Sequence, residues 1–148
     1  MSTSPVSKQC LANVFWRFSE RTYAQKESER LQQIKAGVSV DLVDAIRVTF
    51  NLSDSHLAML LNASLRTLRR LKQQQKGLSS IASERLDRIA IVSQQIQEVF
   101  EDQVATTHWM SVPNQSLGNA IPLMLCSTEL GAKQVRRVLH ALEWGGAA

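Results

Sequence analysis

Between residues 51 and 77 the signals that start and stop helices recur so closely that only two short helices fit. Asn51 and Asn62 can each close a helix by taking a left-handed backbone. Ser53 and Ser64 can each accept from the free N–H groups of a new first turn, and Gly77 can stop the second helix. The spacing predicts one helix over Ser53 to Leu61, carrying Leu57, Ala58 and Leu61, and a second from Ser64 to about Gln75. Leu65, Leu68 and Leu71 give the second helix one apolar face. Leu57, Leu61, Leu68 and Leu71 then meet between the pair, and Ala58 is small enough to let the helices approach. Asn62 stands where such turns usually have glycine, and asparagine tolerates the left-handed backbone next best.

Helical signals extend in both directions. Leu31 and Ile34 repeat ahead of Gly37, and Ser39 can cap a helix whose apolar residues are Leu42, Val43, Ile46 and Phe50. Ser79 or Ser80 begins a longer helix to about Asp102, with Leu86, Ile89, Ala90, Ile96, Val99 and Phe100 facing inward. Val104 to Val112 predicts a short helix anchored by Trp109, and the run from Pro113 to Asn119 is a turn-rich connection. Pro122 suits the first position of another short helix. Thr128 caps the last one, with Val135, Val138, Leu139 and Leu142 on one face and Gly145-Gly146 at its end. Only 5% of residues are aromatic, and no strand pattern competes. The expected fold is all-α: an N-terminal helical extension (1–36), a helix-turn-helix domain (37–78), a connecting helix (79–103) and a small helical C-terminal domain (104–148).

The net charge of +4 is modest, so its placement matters more than its size. Five of the six cations in residues 37–78 fall within residues 66–76, as Arg66, Arg69, Arg70, Lys72 and Lys76. Residues 79–105 carry the opposite balance, with Glu84, Asp87, Glu98, Glu101 and Asp102 against Arg85 and Arg88. A cluster of cations alone is most often a solvated helix face. On the second helix of a tight helix pair it fits DNA, because phosphate contacts give affinity and base-edge contacts give sequence preference. Ser64, Arg66, Thr67, Arg69, Arg70 and Lys72 are the candidate DNA-binding residues. Ser64 or Thr67 suits a phosphate at the helix start, and an arginine suits the bidentate edge of guanine.

Other function classes find little footing. The longest apolar runs, Ile89 to Val92 and Ile121 to Cys126, are far short of the roughly 20 residues that cross a bilayer. The first eight residues lack an export pattern, so the expected location is the cytoplasm, with Cys10 and Cys126 reduced. His56, His108 and His140 are far apart, no metal-ligand spacing occurs and no glycine loop suits a phosphate. Neither metal, cofactor nor enzymatic activity is expected. A Cys126/His140 dyad stays open, although Cys126 ends an apolar run that reads as core.

Ser64-Leu65-Arg66-Thr67-Leu68-Arg69-Arg70, then Leu78-Ser79 and Ser83-Glu84-Arg85-Leu86-Asp87-Arg88, resemble the Xre/MbcA/ParS antitoxin family. His108-Trp109-Met110, Pro113-Asn114, Leu117-Gly118, Ile121-Pro122-Leu123, Thr128-Glu129-Leu130-Gly131-Ala132 and Glu143-Trp144-Gly145 resemble, in order, its toxin-binding domain. The resemblance covers about residues 37–146 and leaves out residues 1–36. Met110 stands after the Trp where a leucine is more usual. The resemblance implies a non-catalytic antitoxin for a RES-domain toxin, a class that depletes NAD+. Its C-terminal domain would cover the toxin's active site, and its helix-turn-helix would repress the shared operon as a homodimer on operator DNA.

Under that resemblance the candidate toxin-binding residues are Arg136, Arg137, His140, Glu143, Trp144, Gly145 and Gly146. Read physically, Arg136, Arg137 and His140 on the polar side of the last helix can meet an acidic rim, mimic contacts around a nucleotide site, or form a solvated face that complements the negative end of the helix. Trp144 is an interface anchor or packs onto its own domain. Phe15, Trp16 and Phe18 form a dimer contact or a local cluster. The competing reading of the whole chain is a plain helix-turn-helix regulator whose C-terminal domain dimerises or senses a ligand.

Overall fold

The computed structural model describes residues 5–145, with side chains from residue 8 onward. Its axis is a 21-residue helix, α6 (Ser80–Phe100), started by the Ser79 hydroxyl accepting from the Ala82 N–H and ended by Glu101 in a left-handed conformation. Leu86, Ile89, Ala90, Val92, Ser93 and Ile96 are all buried, so this helix is enclosed on most sides. Against it pack α1 (Pro5–Ala24), α2 (Glu27–Ala36), α4 (Asp54–Leu61), α7 (Gln103–Ser111) and α9 (Glu129–Glu143). Each fully buried Leu or Ile in that contact contributes roughly 1.5–3 kcal/mol of transfer free energy. The remaining elements are α3 (Asp41–Thr49) on α1, α5 (Leu65–Gln74) after α4, and α8 (Pro122–Leu125) on α7 and α9, with one 3-10 turn at Gln115–Leu117. The described residues are all-α. They contain no strand, and their only extended pairings are the isolated bridges Ser39 to Gly77 and Asn114 to Ala120.

Residues 1–36 do more than extend the fold. Phe15, Trp16 and Phe18 are buried, and the Phe15 ring meets Trp16 and Phe50 edge-on at centroid distances of 5.3 and 5.2 Å. Those rings form a local cluster in the core, not a dimer contact. Ser19 donates to the Ala90 carbonyl at 2.7 Å and accepts from Gln94 Nε2 at 2.9 Å, which satisfies a polar group inside the α1–α6 seam.

Several expectations need correction. Leu31 is 67% exposed, because α2 turns a different side toward α6. Val40, not Ser39, is the N-cap of α3, although the Ser39 hydroxyl still accepts from the Asp41 N–H at 3.2 Å. The second short helix ends at Gln74, and Gln75 takes the left-handed closing position expected of Gly77. Gly77 serves packing instead: a Cβ there would lie 3.2 Å from the Gly37 carbonyl oxygen, and one on Gly37 would lie 2.8 Å from that of Leu78. In α7 the fully buried anchor is Met110, while Trp109 is exposed in part and tilts against Phe100. Val99 and Phe100 also sit at the edge of the core.

Candidate DNA-binding and partner-binding faces

The tight helix pair forms as its caps dictate. The Ser53 hydroxyl accepts from the His56 N–H at 3.1 Å, Asn62 closes α4 at φ 51° and ψ 45°, and two residues later Ser64 opens α5. Ser64 Oγ accepts from the Thr67 N–H at 3.1 Å and donates to Thr67 Oγ1 at 3.0 Å. Leu57, Leu60, Leu61 and Leu68 are buried in the core, with Leu65 and Leu71 at the margin. Leu60, three residues after Leu57 as Leu68 is after Leu65, belongs to this core as well. Arg85 fixes the pair from the α6 side, donating from Nη1 to the Met59 and Leu60 carbonyls at 3.1 and 3.2 Å. Those carbonyls end α4, where a cation complements the helix dipole.

This packing turns Arg66, Arg69 and Arg70 to solvent, and none of them makes an ion pair among the described residues. Three free guanidiniums on one short helix can neutralise phosphates or fork onto a base edge. Lys72 differs, because it pairs with Asp44 of α3. Arg47 pairs with Asp54 at the start of α4, so it too is partly neutralised. Ser64 and Thr67 spend hydrogen-bonding capacity on their own cap.

At the C-terminal end, the Thr128 hydroxyl accepts from the Gly131 N–H at 3.0 Å and starts α9. Gly131 lets α8 cross at contact distance: a Cβ there would fall 1.9 Å from the Leu125 carbonyl oxygen. Glu129 accepts from Arg136 Nη1 at 2.7 Å and from Arg88 Nε at 3.2 Å, and these partners, Arg136 first, hold its carboxyl below the usual range. Arg136 also donates to Gln95 Oε1 at 3.2 Å, so it faces the body of the protein. Arg88, 9% exposed, donates to the Cys126 carbonyl at 3.0 Å and pairs with Glu84. Asp87 receives Arg30 of α2 on both oxygens, at 3.0 and 2.6 Å. Charge counting assigns Asp87 and Arg88 only to the net-acidic block of residues 79–105; the i,i+4 spacing of Glu84 and Arg88 is the one local hint that these two pair.

Cys126 is fully buried, and burial pushes its thiol up to about 12, so it is held as the protonated thiol away from exposed His140. A thiol so buried and held protonated does not suit a nucleophile.

Arg137, His140, Glu143 and Trp144 all face solvent. Trp144 is 78% exposed, with the His140 ring 5.9 Å away edge-on and Glu143 near His140 at 3.9 Å. Packing onto its own domain therefore does not describe Trp144. Gly145 comes next at φ 83°, and Gly146 lies outside the described residues. Among the described residues no group of three or more His, Cys, Asp or Glu could hold a metal ion, and no helix is long and apolar enough to cross a membrane.

Residues 29–90 match the antitoxin Xre-like helix-turn-helix domain, and residues 95–145 match the antitoxin Xre/MbcA/ParS C-terminal toxin-binding domain. Over 123 residues, 82% of this chain and 83% of its relative, the sequence is 28% identical to an Antitoxin Xre of Yersinia enterocolitica serotype O:8 / biotype 1B.

Proposed function

This protein belongs to the Xre-type antitoxins, and from that premise we propose that it silences a RES-domain, NAD+-depleting toxin by laying its C-terminal domain over the toxin's active site. The RES identity rests on the family resemblance. The observation that carries the occlusion reading is the solvent-facing end of α9, where Trp144 stands 78% exposed beside His140. An apolar ring of that size left in water is a typical interface anchor. The antitoxin acts by covering a site and performs no catalysis of its own.

The same chain represses its own operon through α4 and α5. Arg66, Arg69 and Arg70 supply the phosphate and base-edge contacts, and the free N–H groups at the start of α5 favour a phosphate. A cytoplasmic homodimer would set two such helices on half-sites one helical turn apart.

Co-expression with the adjacent reading frame tests the reading. The neighbour alone should arrest growth and lower cellular NAD+, and this chain should restore both. A neighbour that is harmless by itself would leave only a helix-turn-helix regulator.

A further inference from the structure

Leu130, Arg137 and Trp144 are spaced seven residues apart along α9 and its C-cap, and positions so spaced on a straight helix drift by only about 20° per step. They form a single outward seam, about 21 Å long at 1.5 Å per residue. Leu130 at one end is 70% exposed and Trp144 at the other 78%. Lys133, Arg137 and His140 between or beside them are exposed as well. The buried seam of the helix, Val135 and Leu139, lies on its other side. Two large apolar side chains left in water at both ends of one cationic row are not accounted for by the packing of this domain.

We propose that this whole seam, and not the tail alone, is the docking edge for the toxin, with Leu130 as a second anchor. It meets an acidic strip on the toxin flanked by two apolar recesses. The inference rests on the antitoxin reading above and deepens it. Charge supports an acidic partner: Glu129, the carboxylate beside Leu130, is engaged by Arg88 and Arg136, Glu143 at the far end lies nearest His140, and neither Lys133 nor Arg137 makes an ion pair among the described residues. Arg136 accordingly positions α9 and does not belong to the edge. Next to Arg137, Leu117, Val138 and Ala141 line a depression of about 340 Å³ that can receive a side chain of the toxin. A second copy of this chain suits the seam poorly, since a two-fold axis pairing Leu130 with Trp144 would set the two Arg137 guanidiniums against each other.

Leu130→Glu and Arg137→Glu in the full chain test the assignment, with purified toxin from the adjacent reading frame as the probe. Leu31→Glu on α2, 67% exposed and off the seam, is the control. Each seam variant should weaken the complex tenfold or more. The control should stay within twofold, and all three should keep the wild-type helical content and unfolding midpoint. Wild-type complexes should also weaken with salt, and Arg137→Gln should reduce that dependence. Seam variants that bind within twofold of wild type would overturn the edge while leaving the antitoxin reading standing. No binding by wild type would overturn both. Conversion of a dimer to a monomer by Leu130→Glu, with toxin affinity unchanged, would assign the seam to a second copy and overturn the proposal.

Discussion

Arg88 of α6 donates from Nε to the carboxylate of Glu129 in the first turn of α9 at 3.2 Å, while its Nη1 holds the Cys126 carbonyl that precedes that turn. The terminal helix is therefore pinned at its start to the same helix that Arg85 ties to α4. Both proposed binding faces, one in the middle of the chain and one near its C-terminal end, are thus referred to α6.

Replacing Arg88 by Ala should destabilise the protein by about 1–3 kcal/mol, since it leaves the Cys126 carbonyl without its donor and removes a buried stem. Chemical denaturation checks this. A loss below about 0.5 kcal/mol, the usual scatter of surface changes, would mean that the hub carries no stability.

Glu129 gives the same hub a pH signature. Its folded-state carboxyl titrates below the ordinary range, so its favourable contribution is fully present above the unfolded value and is lost as pH falls through the folded one. The stability difference between wild type and Glu129→Gln should thus persist at neutral pH and disappear in acid below the ordinary carboxylate range. Its side chain is largely solvated, which keeps the effect small. A difference that grows toward low pH would contradict the assigned direction.

Much of this was legible locally. Ser53, Asn62, Ser64, Ser79 and Thr128 sit at the helix ends their chemistry predicts, because a cap needs only neighbours within one turn. What escaped was set by residues far apart in sequence. Gly77 is required by the approach of Gly37, not by the helix before it, and Gln75 closes α5 in its place. Arg30 meets Asp87 across 57 positions and Arg88 meets Glu129 across 41, and no periodicity reports such pairs. Among the candidate DNA-binding residues, Lys72 carried no sign that Asp44 of α3 would claim it.

That last pair is testable. Asp44→Asn should release Lys72 toward DNA, raise affinity for the protein's own promoter a few-fold and steepen the dependence on salt by up to about one phosphate, a slope change of about 0.9. An unchanged slope in gel-shift titrations would place Lys72 outside the DNA face.

Arg66, Arg69 and Arg70 should divide when replaced singly by Ala. A residue that reads a base should cost about 1–3 kcal/mol and relax preference at one operator position, whereas a phosphate contact weakens all sequences alike. Removing all three should abolish binding at physiological salt. Retained gel shifts with a wild-type salt slope would exclude α5 as the recognition helix.

Gly131→Ala and a chain ending at Glu143 should both impair neutralisation, but for opposite reasons. The added methyl meets the Leu125 carbonyl at a distance no atom pair tolerates, so α8 and α9 must part, at a cost of about 1–3 kcal/mol or more. Removing Trp144 and the residues after it takes away a side chain that is 78% exposed, so the fold should be unaffected. The shortened protein should melt at the wild-type temperature and still bind its promoter, yet release toxin activity in co-expressing cells. If it neutralises in full, the ring at the end of α9 plays no part in occlusion. If it unfolds early, Trp144 packs in solution against a surface it does not touch here.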